Sequence, residues 1–205
     1  MFALVVLVFV AVDYADQHVG ASIVVAAPLD ETAHLLTALL IIWAVGGAVD
    51  GIAIPILITS VAIDLDHLPA DFGQTWLTAG TPRPYTHSLV MIALVLAGTY
   101  VPRARKWSVA IAVGLVVHFW RDLAEPGTGV ALFWPVSSAS YSLPHTSYLV
   151  VMGLVMAIGL VRALRGSSPL DRSPGPLRER RDSERSVGAD GVPVARRLIR
   201  HHPSE

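Results

Sequence analysis

Long apolar stretches separated by short polar clusters run through residues 1–165, at 2–12, 30–49, 52–63, 88–101, 107–120 and 145–161. They lack the polar stripe of a surface helix and read as helices immersed in lipid or enclosed by other helices. The 30–49 stretch opens with Asp30 and Glu31, where a helix dipole favours acidic side chains, and Pro28 lies just before it. Asp50-Gly51 makes a turn tight enough to send the chain straight back through 52–63, with Pro55 near the start of that helix. Pro69, Gly73, Gly80, Pro82 and Pro84 mark 64–85 as a loop outside the hydrocarbon. The pattern predicts an all-α, polytopic membrane bundle of about six spans.

Composition places the chain in the same class. Hydrophobic residues make up 53% and charged residues 15%, with a mean hydropathy of +0.57, which excludes an ordinary soluble domain. The 2–12 stretch lacks the basic start of a signal peptide, so it reads as an uncleaved first span, short against the ~20 residues a perpendicular helix needs. A net charge of -1 hides an asymmetry, because most of the arginines lie from Arg162 onward. Residues 166–205 are rich in Arg, Ser, Pro and Gly and poor in large apolar side chains, so they read as a disordered tail. Within it, 192–202 has a weak amphipathic pattern, and His201-His202 has no carboxylate beside it.

Basic residues orient the spans. The Arg103-Ala104-Arg105-Lys106 cluster and the pair Arg162 and Arg165 belong on the cytoplasmic side. Alternation then gives six spans with both termini inside and outer connectors at 13–31, 64–85 and 121–144. Every histidine before the tail falls on this outer face, and so does every acidic residue there except Asp50.

That convergence is where chemistry enters. Asp64, Asp66 and His67 follow an uncharged run, and such a cluster is costly unless something compensates it. His118 and Asp122 are spaced i, i+4 and share one helix face. Asp30 and His34 have the reverse order, with Asp30 equally explained as an N-cap, which makes His34 the better ligand. Thr86 and Ser88 flank His87, one hydroxyl to cap the helix and the other to orient the imidazole. His145 opens its helix in the same manner. Each pair alone reads as a hydrogen-bonded polar contact near the headgroups, yet ionisable groups drawn from four spans mark a functional site.

The chain has no cysteine, so a metal here is held by nitrogen and oxygen, which suits Zn²⁺, with Mn²⁺ an alternative. His67, His87, His118 and Asp122 are the first candidate ligands, followed by Asp66, His34 and His145, enough for one or two ions. Asp64, with Asp66 beside it, is the catalytic candidate for positioning or deprotonating a water. Arg83 and Arg121 are the candidates for clamping a phosphate, with a headgroup anchor as the plain alternative.

The order of these elements resembles a known family. An early helix-opening His34, the Asp-x-Asp-His-x-Pro element at Asp64 to Pro69, the Thr-His-Ser element at Thr86 to Ser88, and His118-x-x-x-Asp122 followed by Gly129 and Pro135 resemble the bacterial inner-membrane metal-dependent hydrolases described as LexA-binding. The resemblance covers roughly His34 to Val161. Arg83-Pro84-Tyr85 stands where that family carries His-Arg, and Glu125-Pro126 interrupts the stretch after Asp122. The family is distantly similar to zinc-dependent phospholipases C and P1-type nucleases, which implies phosphoester hydrolysis of a membrane lipid or a phosphorylated small molecule. Nucleic acid is not an expected partner. A proton- or metal-coupled transporter would show polar residues part-way along several spans, and a non-catalytic anchor would leave the His/Asp cluster without a purpose.

The topology is testable with reporter fusions. A fusion after Lys106 is expected to report the cytoplasm and one after Gly73 the opposite side; a cytoplasmic signal at Gly73 overturns the orientation.

Overall fold

The computed structural model describes residues 1–18, 22–78, 80–127 and 129–166. The chain divides after Arg165 into two units, and the tail with its 192–202 segment lies outside the described residues. The first unit is all-helical. Its α-helices are α1 (Phe2–His18), α2 (Ile23–Val45), α3 (Ala53–Ala62), α4 (Leu68–Asp71), α5 (Leu89–Ala97), α6 (Arg105–Ala124) and α7 (His145–Gly166). A 3₁₀ turn, Ile63–His67, joins α3 to α4, and another, Gly98–Tyr100, extends α5. No strand occurs among the described residues, although an isolated antiparallel bridge joins Val130 to Tyr141.

Six helical segments therefore stand where six spans were expected. Four are long and apolar enough to cross a membrane: Ile23–Val45, Ala53–Asp71, Arg105–Ala124 and His145–Gly166. The α1 helix, with 17 residues, and Leu89–Tyr100 are shorter.

Three boundaries differ from the sequence reading, each in the direction of more helix. The first outer connector was expected at 13–31, but α1 continues to His18 and α2 begins at Ile23 behind Ser22. Asp30 is thus not an N-cap, and Pro28 lies inside the helix. The acidic residues are accommodated because they have partners: Asp13 and Asp16 receive hydrogen bonds from Arg121, and Asp30 lies 3.4 Å from His34 Nε2. The second outer loop was expected from Asp64, yet the helical path runs on to Asp71, with Pro69 in the first turn of α4 where a missing N–H costs nothing. Finally, α6 continues past Trp120 to Ala124, carrying Arg121 and Asp122 on the helix.

The α6 helix is the centre of the bundle, packed against α2, α3 and α5. Ser108, Ala110, Ala112 and Gly114 are buried along it, and small side chains let helix backbones approach closely where lipid supplies no hydrophobic drive between helices. On the other side, Phe2, Phe9, Leu36, Leu40, Ala124, Tyr148 and Met152 form a core between α1, α2, α6 and α7. Thr37 adds a polar tie to that core: its hydroxyl donates to the Ala33 carbonyl (2.7 Å), so the Tyr148 hydroxyl at 2.6 Å donates to Thr37.

Gly114 sets the spacing of α3 and α6, because a Cβ there would meet the Ile56 carbonyl oxygen and Thr59 Cβ, both at 2.8 Å. Gly114→Ala is expected to lower stability by about 1–3 kcal/mol through overpacking, read by thermal unfolding in detergent. Gly153 on α7 has nothing within 4 Å of an added Cβ, so Gly153→Ala is the matched control, with no loss expected.

Candidate metal centre

Four helical segments deliver His and Asp side chains to one level of the bundle. His34 comes from the middle of α2. Asp64, Asp66 and His67 lie on the 3₁₀ turn that ends α3, His87 lies just ahead of α5, and His118 and Asp122 occupy adjacent turns of α6. His34, His87, His118 and Asp122 are all essentially inaccessible to solvent.

The tightest arrangement joins His87, His118 and Asp122. The two Nε2 atoms lie 3.1 Å apart, and Asp122 Oδ2 is 3.2 Å from His118 Nε2 and 3.5 Å from His87 Nε2. Donors that share a tetrahedral ion at bond lengths of 2.0–2.1 Å stand about 3.3 Å from one another, so these three atoms match one face of such a coordination shell. Asp64 Oδ1 adjoins both imidazoles, 3.2 Å from His87 Nε2 and 3.3 Å from His118 Nε2. His67 Nε2 extends the cluster, 3.5 Å from Asp64 Oδ1 and 3.8 Å from Asp66 Oδ1. Three groups have ligand atoms all within 4.8 Å of one another: Asp64, Asp66, His67 and His87; His34, Asp64 and His118; and His87, His118 and Asp122.

Supporting contacts fix how these rings present themselves. His118 Nδ1–H donates to the Ser60 carbonyl (3.0 Å), which leaves Nε2 with its lone pair toward the cluster. His87 Nδ1 lies 3.5 Å from Asp66 Oδ2, and the Thr86 hydroxyl donates to that same carboxylate oxygen. Thr86 therefore does not cap α5. Ser88 occupies the N-cap position without a side-chain capping bond, so neither hydroxyl plays the capping part expected of it. His34 stacks on His118 with ring centroids 3.9 Å apart and faces Asp122 Oδ1 at 3.2 Å.

The chemistry of this set fits a divalent cation. Both ring nitrogens of His34, Asp64 Oδ2, Asp66 Oδ1, His67 Nε2, His87 Nδ1 and both Asp122 oxygens are buried without a hydrogen-bond partner among the described residues. An unsatisfied buried polar group costs about 1–3 kcal/mol, and more when charged, so the cluster calls for a common partner that accepts lone pairs. Burial alone would lower the His87 pKa, but contacts with the Asp64 and Asp66 carboxylates outweigh it and hold the ring above its ordinary value.

Arg83 is buried beside this cluster, not spread among headgroups. It bonds Glu125, lies 3.4 Å from Asp122 Oδ1, and keeps Nε without a partner among the described residues. Against the effect of burial, Asp122 and Glu125 raise its pKa further, so it stays charged. Glu125 is pushed upward by burial and by Asp30 and Asp122, against the pull of Arg83. A cavity of 340 Å³ opens over the site, lined in part by Asp30, Glu31, Asp64, His67, Arg83 and Glu125.

Two sequence candidates are drawn into a separate network. Arg121 donates from Nη1 to Asp13 (2.9 Å) and from Nη2 to Asp16 (2.5 Å), beneath the Tyr148 ring, so its fork is committed to α1. His145 lies 3.2 Å from Asp13 Oδ2, donates from Nδ1 to the Ala124 carbonyl at 3.3 Å, and belongs to none of the three donor groups. Sequence reasoning missed Asp13, Asp16, Glu31 and Glu125. The signal available for them was charge beside an apolar run, which does not reveal a partner more than a hundred residues away.

No curated protein and no solved structure matches the chain. A family described as YdjM inner membrane protein matches residues 15–176, which is most of the sequence and all of the His/Asp cluster. The chain belongs to the YdjM inner membrane protein family.

Proposed function

We propose that this membrane protein is a metal-dependent hydrolase that cleaves phosphoester bonds of a lipid or lipid-linked substrate, with its site on the extracytoplasmic side. The observation that carries the reading is the buried face formed by His87 Nε2, His118 Nε2 and Asp122 Oδ2, with separations of 3.1–3.5 Å, beneath a cavity that also holds a charged arginine. Three protein ligands with one open position is the pattern of catalytic zinc sites, whereas structural zinc sites close all four.

Zn²⁺ is our choice for the ion, held by His87, His118 and Asp122, with Asp64, Asp66 and His67 available to a second. Such an ion supplies Lewis acidity and brings the pKa of water to about 7. The remaining steps belong to the protein. Asp64 Oδ2 is buried and unpartnered, and its side chain lines the cavity, which suits it to orient a water and accept its proton. Arg83 Nε is the donor left free for a phosphate oxygen. Asp66, the second catalytic candidate, lies 3.5 Å from His87 Nδ1 and takes the part of a positioning residue for that ring. Arg121 and His145 have structural parts in this reading, tying α1 and α7 to α6.

Metal content and activity on purified variants test these assignments. His118→Ala and Asp122→Asn are expected to lose bound metal and phosphoesterase activity together, by more than the roughly 10–100-fold typical of an outer contact. Thr86→Val removes such an outer contact and is expected to weaken metal affinity within that range. His145→Ala is expected to lower thermal stability while metal per folded molecule stays constant. Full metal in both the His118 and Asp122 variants overturns the shared site.

Acidification supplies an independent check. The Asp64 and Asp66 carboxylates hold the His87 proton more firmly than an ordinary imidazole holds its own, so metal competes with that proton. Affinity is therefore expected to weaken as pH falls, with protons released on binding. Calorimetry in two buffers of different ionisation enthalpy reads that release, and a pH-independent affinity with none would exclude His87 as a ligand.

A further inference from the structure

A second cavity, of 540 Å³, lies against the outer side of α2 and α3, lined by Leu35 of α2 and by Leu57, Ile58, Val61 and Ala62 of α3. Glu31 and Leu65 line both this groove and the polar cavity over the His/Asp cluster, so the two spaces adjoin. The walls belong to two segments long and apolar enough to cross a membrane, which makes hydrocarbon the surrounding solvent. Glu31 is the groove's one charged lining residue, and it stands at the end next to the polar cavity. Leu57 to Leu65 runs roughly 12 Å along the helical path at about 1.5 Å per residue.

We propose that this groove receives one acyl chain of a glycerophospholipid whose phosphate lies in the cavity beside Arg83, His67 and Asp64. The inference rests on the hydrolase reading for the fate of the phosphate, and on the groove alone for the seat of the chain. A methylene group is close in size to a water molecule, about 30 Å³, so by volume 540 Å³ holds on the order of eighteen of them, and the run along α3 seats a segment of one extended acyl chain. A long polyisoprenoid would exceed that volume and extend beyond the groove. Moving a chain from bilayer to groove gains little hydrophobic energy, since lipid tails are as apolar as leucine. What the groove contributes is orientation: a chain laid along α3 leads its ester toward Asp64 and His67 at the end of that helix. A comparable groove of 430 Å³ between α1 and α7 is lined by Asp13 and His145, which the Arg121 and Ala124 contacts already occupy away from the donor groups.

Photolabelling of the full chain in nanodiscs tests the seat without requiring turnover. The probe is a glycerophospholipid carrying a diazirine midway along one acyl chain, and peptide mapping reads where it attaches. Labelling is expected to concentrate on residues 57–62 over Phe9, Val10 and Leu149 of the other groove, and Ala62→Trp is expected to remove most of it. Ile58→Trp, farther from the cavity and on an exposed position, is the second variant, expected to shift attachment toward Leu65. Even labelling of both grooves, or labelling that neither tryptophan alters, overturns the proposal. Preferential labelling of residues 57–62 by a photoreactive isoprenoid phosphate overturns the acyl assignment. In the activity arm, Ala62→Trp is expected to lower the ratio of kcat/KM for a long-chain over a water-soluble phosphoester by at least about tenfold, the low end for a hydrophobic-pocket contact. An unchanged ratio counts against the groove. Absence of any phosphoesterase activity counts against the hydrolase reading instead, and the labelling pattern then decides the groove.

Discussion

Asp122 is a carboxylate with no solvent exposure, in a bundle with four segments long and apolar enough to cross a membrane. Removing an ion from water costs several kcal/mol even after relaxation, so the surrounding structure has to supply the compensation. It does so from the helix that carries Asp122 and from two other segments: His118 one turn back on α6, His34 from α2, and Arg83 and His87 from the chain ahead of α5. The close approach of α3 to α6 at Gly114 belongs to the same arrangement, because His118 lies one turn beyond it and its Nδ1 reaches the Ser60 carbonyl on α3. Helix packing and site geometry are therefore the same constraint viewed at two levels.

The parts of the site legible in the sequence are those where a single helix does the arranging. His118 and Asp122 at i, i+4 meet at 3.2 Å as their spacing implies, and Asp30 and His34 meet at 3.4 Å. Apolar runs of alternating direction also carried Asp64, His67 and His87 to the level of His118. What the sequence could not resolve is which neighbour a helix-opening side chain faces. Thr86-His87-Ser88 and His145-Thr146-Ser147 look alike, yet His87 turns into the cluster and His145 turns to Asp13. That choice depends on the packing of α1 between α2 and α7, which no local pattern encodes. Helix length was misread for a related reason. Acidic residues at 13, 16 and 30 look like loop until it is known that Arg121 and His34 face them.

Two polar networks of similar composition thus do different things in one bundle. Around Arg121, cation and carboxylates are matched with good hydrogen bonds, which is how buried charge is made structural. Around His87 and His118 the balance is different: ligand atoms converge at 3.1–3.5 Å, and both Asp122 oxygens have no hydrogen-bond partner among the described residues. A guanidinium whose two Nη groups are both bonded to carboxylates argues for a strut, and convergent ligand atoms with unpaired carboxylate oxygens argue for a guest ion.

The depth of the cluster matters as much as its composition. His34 is eleven residues into α2 from Ile23, which at about 1.5 Å per residue puts it some 16 Å along the helix. The outer half of α2, with Ile23, Val24 and Val25 exposed, rises beyond it, as does Leu68 on α4. The cavity over the cluster is lined mainly by ionisable side chains, while His34, His87, His118 and Asp122 are buried from water, so charges among them interact more strongly than they would in open water. Recession also limits how a substrate can approach. Under the proposed hydrolase reading, a soluble ester would have to pass the helix ends beyond the cluster, whereas a lipid seated in the α2–α3 groove would present its headgroup at Glu31 and Leu65. Helices that run on past the cluster therefore favour access from the bilayer side, and they follow from the same partnered acidic residues that made those helices hard to read from sequence.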